Sequence, residues 1–299
     1  MTSSATGLME AAYATPRAQA SSRLGERPGF SERFYKASVN SGIPADKLEV
    51  PFGEYVSPEL LADTLKQKEY DVVTIVHSET STGVLNPIRE LTAAAHASGD
   101  VAVVIDTVSS LAAGAVESDD WELDYVLTGS QKAIALPPGL AFCTANERIF
   151  ARARQSQRRG LYFDLLEFDE YYRKNQTPNT PAVSLLYALD LQLDHMMAEG
   201  VEARWARHAA MAECTRRGQR SGGLALHRRG YRSPGVTCIL MPEGTKGSVV
   251  VGAMKAKGFV LATGYGALKD DMVRVGHMGE HTLGEVQAVL EALGDVLSL

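Results

Sequence analysis

Cysteine is scarce in this chain: three in 299 residues (Cys143, Cys214 and Cys238), odd in number and far apart. They suggest neither a disulfide framework nor a ligand cluster, which fits a reducing cytosol. An excess of basic charge is also missing. Lys and Arg total 30 against 36 Asp and Glu, a net charge of -6, which argues against a general electrostatic nucleic-acid binder. No apolar run approaches the ~18 residues that a membrane span needs. The first basic residue is Arg17, so the start carries no secretory n-region. No Gly-x-Gly-x-x-Gly follows a strand, which disfavours a dinucleotide-binding oxidoreductase. What is present is ordinary globular composition, 45% hydrophobic and 22% charged, in a chain long enough for two domains. The expectation is a soluble, mildly acidic, cytoplasmic protein with no metal, membrane or nucleic-acid partner.

The middle of the chain alternates strands and helices. Residues 72–76 form a β-branched run, and 87–98 have helical spacing with Ile88, Leu91 and Ala95 on one side. Residues 101–105 are continuously apolar, as a strand buried on both faces should be. Further strands are expected at 124–127 and 140–142, and the short connections imply a parallel α/β sheet. Three polar segments, 77–83, 106–110 and 129–132, then fall just past strand carboxyl ends, where open α/β sheets bind ligands. A basic helix over 147–160 follows, and after it a long helix at 182–200 and a second to about Arg217. Strands at 236–241, 259–262 and 272–275 and helices at 248–257 and from Thr282 complete a smaller α+β unit. The domains are therefore expected at 1–181 and 182–299, joined through the long helix. Residues 13–29 stand apart: one Leu, no Ile or Val, and many Ala, Ser and Arg, the composition of a loop or disordered segment rather than a strand.

Several residues have types and positions that suit chemistry, each beside an ordinary explanation. Lys132 follows a strand directly; a buried lysine loses its proton readily and condenses with an aldehyde, whereas most lysines are solvated. Asp106 ends an apolar strand, where a carboxylate can pair with a protonated pyridine nitrogen or simply cap a turn. The small residues 2–7 lead into a helix whose first N–H groups suit a phosphate, although an ordinary capped helix looks the same. Arg274, inside an apolar strand, suits a substrate carboxylate or is an edge arginine facing water. His277 reads as packed or solvated rather than as a base, and the hydroxyls of 77–83 suit a cofactor phenolate or phosphate as well as a turn. In this order, a phosphate-type helix start, a strand-end Asp, a strand-end Lys and a late Arg are the protein parts that pyridoxal phosphate (PLP) chemistry requires.

The sequence resembles the class V aminotransferases of PLP fold type I, in the alanine–glyoxylate and serine–pyruvate group. The residues that carry the resemblance are 4–7 with 10–12, 77–87, 104–110, 129–133 with 137–139, and 274–279. The likeness extends over most of 2–12 and 30–299. It implies an α/β fold with a mostly parallel sheet in a large PLP-binding domain and a smaller C-terminal α+β domain. Lys132 would be the Schiff-base lysine and proton shuttle, Asp106 the partner of the pyridine nitrogen, and Val108 the packing under the ring. Ser4, Ala5, Thr6 and Gln131 would hold the phosphate, Ser81 would contact the ring, and Phe30 would stack on it. Arg274 would bind the substrate α-carboxylate. The resemblance also implies a homodimer with shared active sites, in which Thr177 and Thr180 reach the neighbour's phosphate. The implied reaction moves an amino group from alanine or serine to glyoxylate or pyruvate. The alternatives are a PLP-dependent lyase or desulfurase, which needs a nucleophilic cysteine on a mobile loop, or a truncated non-catalytic paralogue. The chain departs from the family at its start, expected to be truncated, and at 13–29, expected to be an out-of-frame or otherwise altered segment replacing an apolar strand.

Overall fold

Burial of three strands on both faces sets the architecture. The structure, a computed structural model, describes residues 2–12, 22–27, 29–157, 159–221 and 231–298, with backbone alone for 22–27 and 219–221. In chain order its elements begin with α1 (Ala5–Ala11), β1 (Ser22–Arg27), α2 (Glu32–Asn40), β2 (Ala45–Glu49), α3 (Pro58–Leu65) and β3 (Tyr70–Val76). Then come β4 (Ser78–Glu79), β5 (Val84–Leu85), α4 (Ile88–Ala97), β6 (Ala102–Asp106), β7 (Tyr125–Gly129) and β8 (Ala141–Ala145). The second half holds α5 (Glu147–Gln155), α6 (Leu165–Arg173), α7 (Val183–Glu199), α8 (Val201–Ser221), β9 (Val236–Leu240), α9 (Gly247–Ala256), β10 (Ala262–Thr263), β11 (Met272–Gly276) and α10 (Leu283–Leu297).

Six strands make one sheet in the order β2-β1-β3-β6-β7-β8, parallel throughout except for β8, which runs antiparallel to β7. Both faces are covered. Val73, Ile75, Val103, Ile105 and Val126 pack with Leu61, Ile88 and Leu91 on one side. Val72, Val76, Val104, Tyr125 and Leu127 pack with Leu8, Phe34 and Ile149 on the other. That two-sided burial is why these strands read as unbroken apolar runs rather than alternating ones. The helix expected at 87–98 is α4, with Ile88, Leu91 and Ala95 buried as its spacing implies. The smaller unit is a three-stranded antiparallel sheet, β10-β11-β9, under α9 and α10, with Ile239, Val250, Met254, Val273 and Leu293 at its centre.

Four sequence expectations are corrected, and for Arg274 the edge-strand alternative is excluded. Within 13–29, residues 22–27 are not a loop: β1 is an interior strand, paired in parallel with β2 and with β3. Pairing on both sides satisfies its backbone whatever its side chains prefer, so tertiary context overrides composition. Residues 13–21 and 28 lie outside the described residues. Arg274 is not at an edge, because β11 is the central strand of the small sheet. The strand expected at 259–262 is only Ala262–Thr263, and the helix expected over 147–160 ends at Gln155. Finally, α7 has a single buried residue, Gln192, and the helix bonded to the loop after β7 is α8, whose buried Arg204 donates to the Ala133 carbonyl while His208, Met211 and Thr215 are buried along it.

Candidate active site

Parallel pairing brings the carboxyl ends of β1, β3, β6 and β7 to one edge of the sheet. Val76 stands beside Asp106, and Asp106 beside Leu127. The segments that follow these strands, Gly29–Ser31, His77–Gly83, Asp106–Ser110 and Ser130–Lys132, therefore converge where a doubly wound sheet opens a crevice.

Asp106 is buried, and its Oδ1 accepts the Val108 N–H at 2.7 Å. Its Oδ2 has no hydrogen-bond partner among the described residues. Burial pushes its carboxyl up to about 7, and the nearby negative charge of Glu79 adds to the rise, while the Val108 N–H, Arg33 and Lys132 oppose it. Such an acid calls for a cationic partner.

Lys132 is half-buried on a loop that closes on Ser130, whose hydroxyl donates to the Pro137 carbonyl at 2.7 Å and accepts the Leu140 N–H at 3.3 Å. Burial holds the ammonium below its ordinary value. The positive charge of Arg274 lowers it further and Asp106 pulls it back. A lysine so placed has the neutral form that attack on an aldehyde needs within easier reach.

Arg274 donates from Nε to the Thr263 carbonyl at 2.7 Å and from Nη1 to the Thr80 carbonyl at 3.1 Å. These bonds fix the guanidinium between the small sheet and the 77–83 segment. Phe30 lies with its ring centroid 5.4 Å from that of Tyr265, and the Arg33 guanidinium sits 4.9 Å above the Phe30 ring. Ser81 is fully buried, and its N–H donates to Glu79 Oε1 at 2.9 Å. Val108 packs with the Leu8–Leu127 face of the sheet.

Lys132, Asp106, Val108, Phe30, Ser81 and Arg274 thus share one region. At the start of α1, Ser4 Oγ accepts the Thr6 N–H at 3.2 Å, and both residues are exposed while Ala5 is half-buried. Gln131 is exposed beside Lys132; a Cβ on Gly129 would stand 2.7 Å from its Oε1, so glycine there leaves room for the amide. Thr177 and Thr180 line a cavity of about 160 Å³ with Thr2, Ser3, Tyr162 and Phe168, beside the loop that enters α1. Neither Lys132 nor Asp106 is among the residues that line it.

Sequence reasoning gave no role to Glu79, Arg33 or Tyr265, although the structure gathers all three here. A signal existed for Glu79, an acid three residues past an apolar strand inside the 77–83 block. Arg33 and Tyr265 had none, since only the fold brings positions 30–33 and 265 together. His277 is fully buried and shares a hydrogen bond of 2.8 Å with Thr237, as a packed histidine. Cys143 and Cys238 sit in strands and Cys214 in a helix. Burial pushes the Cys238 thiol up to about 12 and that of Cys143 upward, the reverse of an activated nucleophile. Among the described residues no group of His, Cys, Asp and Glu could hold a metal ion, and no helix is long and apolar enough to cross a membrane.

Comparison with known proteins agrees with this geometry. The family model for aminotransferase class V matches residues 37–283. An uncharacterised aminotransferase of Methanocaldococcus jannaschii is 39% identical over 266 residues, covering 87% of this chain and 69% of its own. The serine–glyoxylate aminotransferase of Methylorubrum extorquens is 31% identical, covering 99% of this chain and 76% of its own. The crystal structure of pyridoxamine–pyruvate aminotransferase from Mesorhizobium loti superposes with a TM-score of 0.93 at 28% identity, over 100% of this chain and 78% of that one. The chain belongs to the class V aminotransferases, PLP-dependent enzymes of fold type I.

Proposed function

We propose that the enzyme moves an amino group from alanine, serine or a similar small amino acid to glyoxylate or pyruvate in two half-reactions. The observation that carries the site assignment is the pairing of a buried, half-satisfied carboxylate, Asp106, with a depressed lysine, Lys132, at adjacent strand ends. The residues fit PLP: Asp106 Oδ2 lacks a partner in a place where a protonated ring nitrogen would supply one. PLP supplies an aldehyde carbon that takes the amino group and a ring that draws electrons from the substrate Cα. Asp106 would hold that ring nitrogen in its protonated form. Lys132 would hold the aldehyde, and its amine would serve as base and then acid at the substrate Cα. The first-turn N–H groups of α1, with Ser4, Ala5, Thr6 and Gln131, hold the phosphate. Phe30 and Val108 enclose the ring, Ser81 contacts it, and Arg274 receives the substrate carboxylate.

The active form in this reading is a homodimer. Val183, Tyr187, Leu191 and Met197 of α7 are exposed, which suits burial against a second copy, and Thr177 and Thr180 precede that helix. The large unit over 1–181 supplies Asp106 and Lys132, and the smaller one over 182–299 supplies Arg274. A desulfurase is not favoured, because the buried cysteines are held as thiols.

The deciding measurement is the visible absorbance of purified protein mixed with PLP, wild type beside Lys132→Ala. A band present in the first and lost in the second is expected. No band, or one unchanged by the substitution, would overturn the assignment. A screen of amino donors against glyoxylate and pyruvate then identifies the pair.

A further inference from the structure

Glu79 is 1% exposed, and it forms no ion pair with any Lys or Arg among the described residues. Instead its Oε2 accepts the N–H groups of Phe30 at 2.7 Å and Ser31 at 3.2 Å, while Oε1 accepts that of Ser81 at 2.9 Å. A carboxylate with three backbone donors ties the turn after β1 to the segment after β3, and bonds to a charged acceptor are about twice as strong as neutral ones. The approach is close. Gly29 has φ +111°, and a Cβ there would stand 2.2 Å from Ser81 Oγ and 2.7 Å from Glu79 Cδ, so only glycine permits it. Among the described residues, no other hydrogen bond ties the Phe30 backbone to the segment that carries Ser81.

We propose that Glu79 is a positioning residue: it clamps the Phe30 turn to Ser81 so that the Phe30 ring is held in place for the cofactor. This rests on Phe30 being the residue that stacks on PLP. In Glu79→Gln one carboxylate oxygen becomes an NH₂ group, which faces a backbone N–H and cannot accept from it.

The test is a double-substitution cycle on PLP affinity, titrated by absorbance or fluorescence for wild type, Glu79→Gln, Phe30→Ala and the pair. The amount of folded protein is checked by circular dichroism. Glu79→Gln is expected to weaken PLP binding roughly tenfold, the equivalent of one good hydrogen bond to a charged group. The pair should bind within about twofold of Phe30→Ala alone, because the clamp acts through the ring. Wild-type affinity in Glu79→Gln, or losses that multiply in the pair, overturns the clamp. Wild-type affinity in Phe30→Ala overturns the stacking role and the clamp's purpose with it. Hydrogen exchange on the wild-type holoenzyme needs no variant to fold. The amides of Phe30, Ser31 and Ser81 should be protected, and exchange at open-loop rates refutes the geometry.

Discussion

Replacing Asp106 by Asn should stabilise the enzyme without its cofactor and weaken the enzyme's hold on PLP. In the unfolded chain this carboxyl ionises near 3.8, and in the fold burial delays ionisation to about 7. Between those values the folded state binds more protons than the unfolded one. Its stability therefore falls as pH rises from about 4 to about 7 and stays low above that. About three pH units at 1.36 kcal/mol each make the deficit roughly 4 kcal/mol in alkaline solution. Asn removes the ionisation but leaves a buried amide N–H₂ without an acceptor, which costs about 1–3 kcal/mol. The net gain above pH 8 is then on the order of 1–3 kcal/mol, a rise of a few degrees in Tm, and it closes by about pH 5. With PLP bound the order reverses: the charge-assisted bond to the ring nitrogen is lost, and affinity should fall about 10- to 100-fold. Thermal unfolding of both proteins across pH 5–9, with and without PLP, checks each part. A stability difference in the PLP-free proteins that does not grow with pH would refute the buried-charge argument.

Arg274→Ala should raise KM for the amino donor about 10- to 100-fold, the value of a bidentate charged pair, with the PLP absorbance retained; steady-state kinetics beside the spectrum decide it. His77, buried with its ring 6.4 Å from that of Trp121 in an edge-on contact, is held neutral by burial down to about 3. The unfolded chain takes up that proton first, so stability falls as pH drops below about 6.5, and His77→Phe should flatten the acid limb of a Tm–pH curve. Arg204, 2% exposed at its side chain, pairs with Glu199 and Glu280 and donates to the Ala133 carbonyl. Arg204→Met should cost about 1–3 kcal/mol in urea unfolding, because the buried Ala133 carbonyl loses its donor while Glu199 keeps Arg207.

The sequence made the sheet and the chemistry legible for the same reason. Strands buried on both faces leave unbroken apolar runs, and the residue after each run is then placed by topology alone, which locates Asp106 and Lys132 before any coordinates. Residues 22–27 escaped because the logic runs one way: an apolar run argues for an interior strand, but Ser-Arg-Leu-Gly-Glu-Arg does not exclude one when both neighbours supply hydrogen bonds. Glu79 escaped as an individual because two of its three partners are backbone N–H groups 48 and 49 residues away, and backbone donors leave no trace in side-chain identity. The helix expected to join the two units was misassigned from its apolar content. Apolar side chains in α7 mark a surface rather than a core, whereas α8 is held by Arg204, a residue whose type argues for exposure.

Among the described residues β2 has no strand neighbour except β1, so its hydrogen bonds to the rest of the sheet run through the six residues of that one strand. Phe30 leaves the end of that same strand. A ligand gripped at Phe30 consequently fastens the flank as well, and occupancy well above its dissociation constant adds stability as the logarithm of ligand concentration. Cofactor bound there would thereby slow cleavage along that flank, and limited proteolysis at rising PLP concentrations would show it.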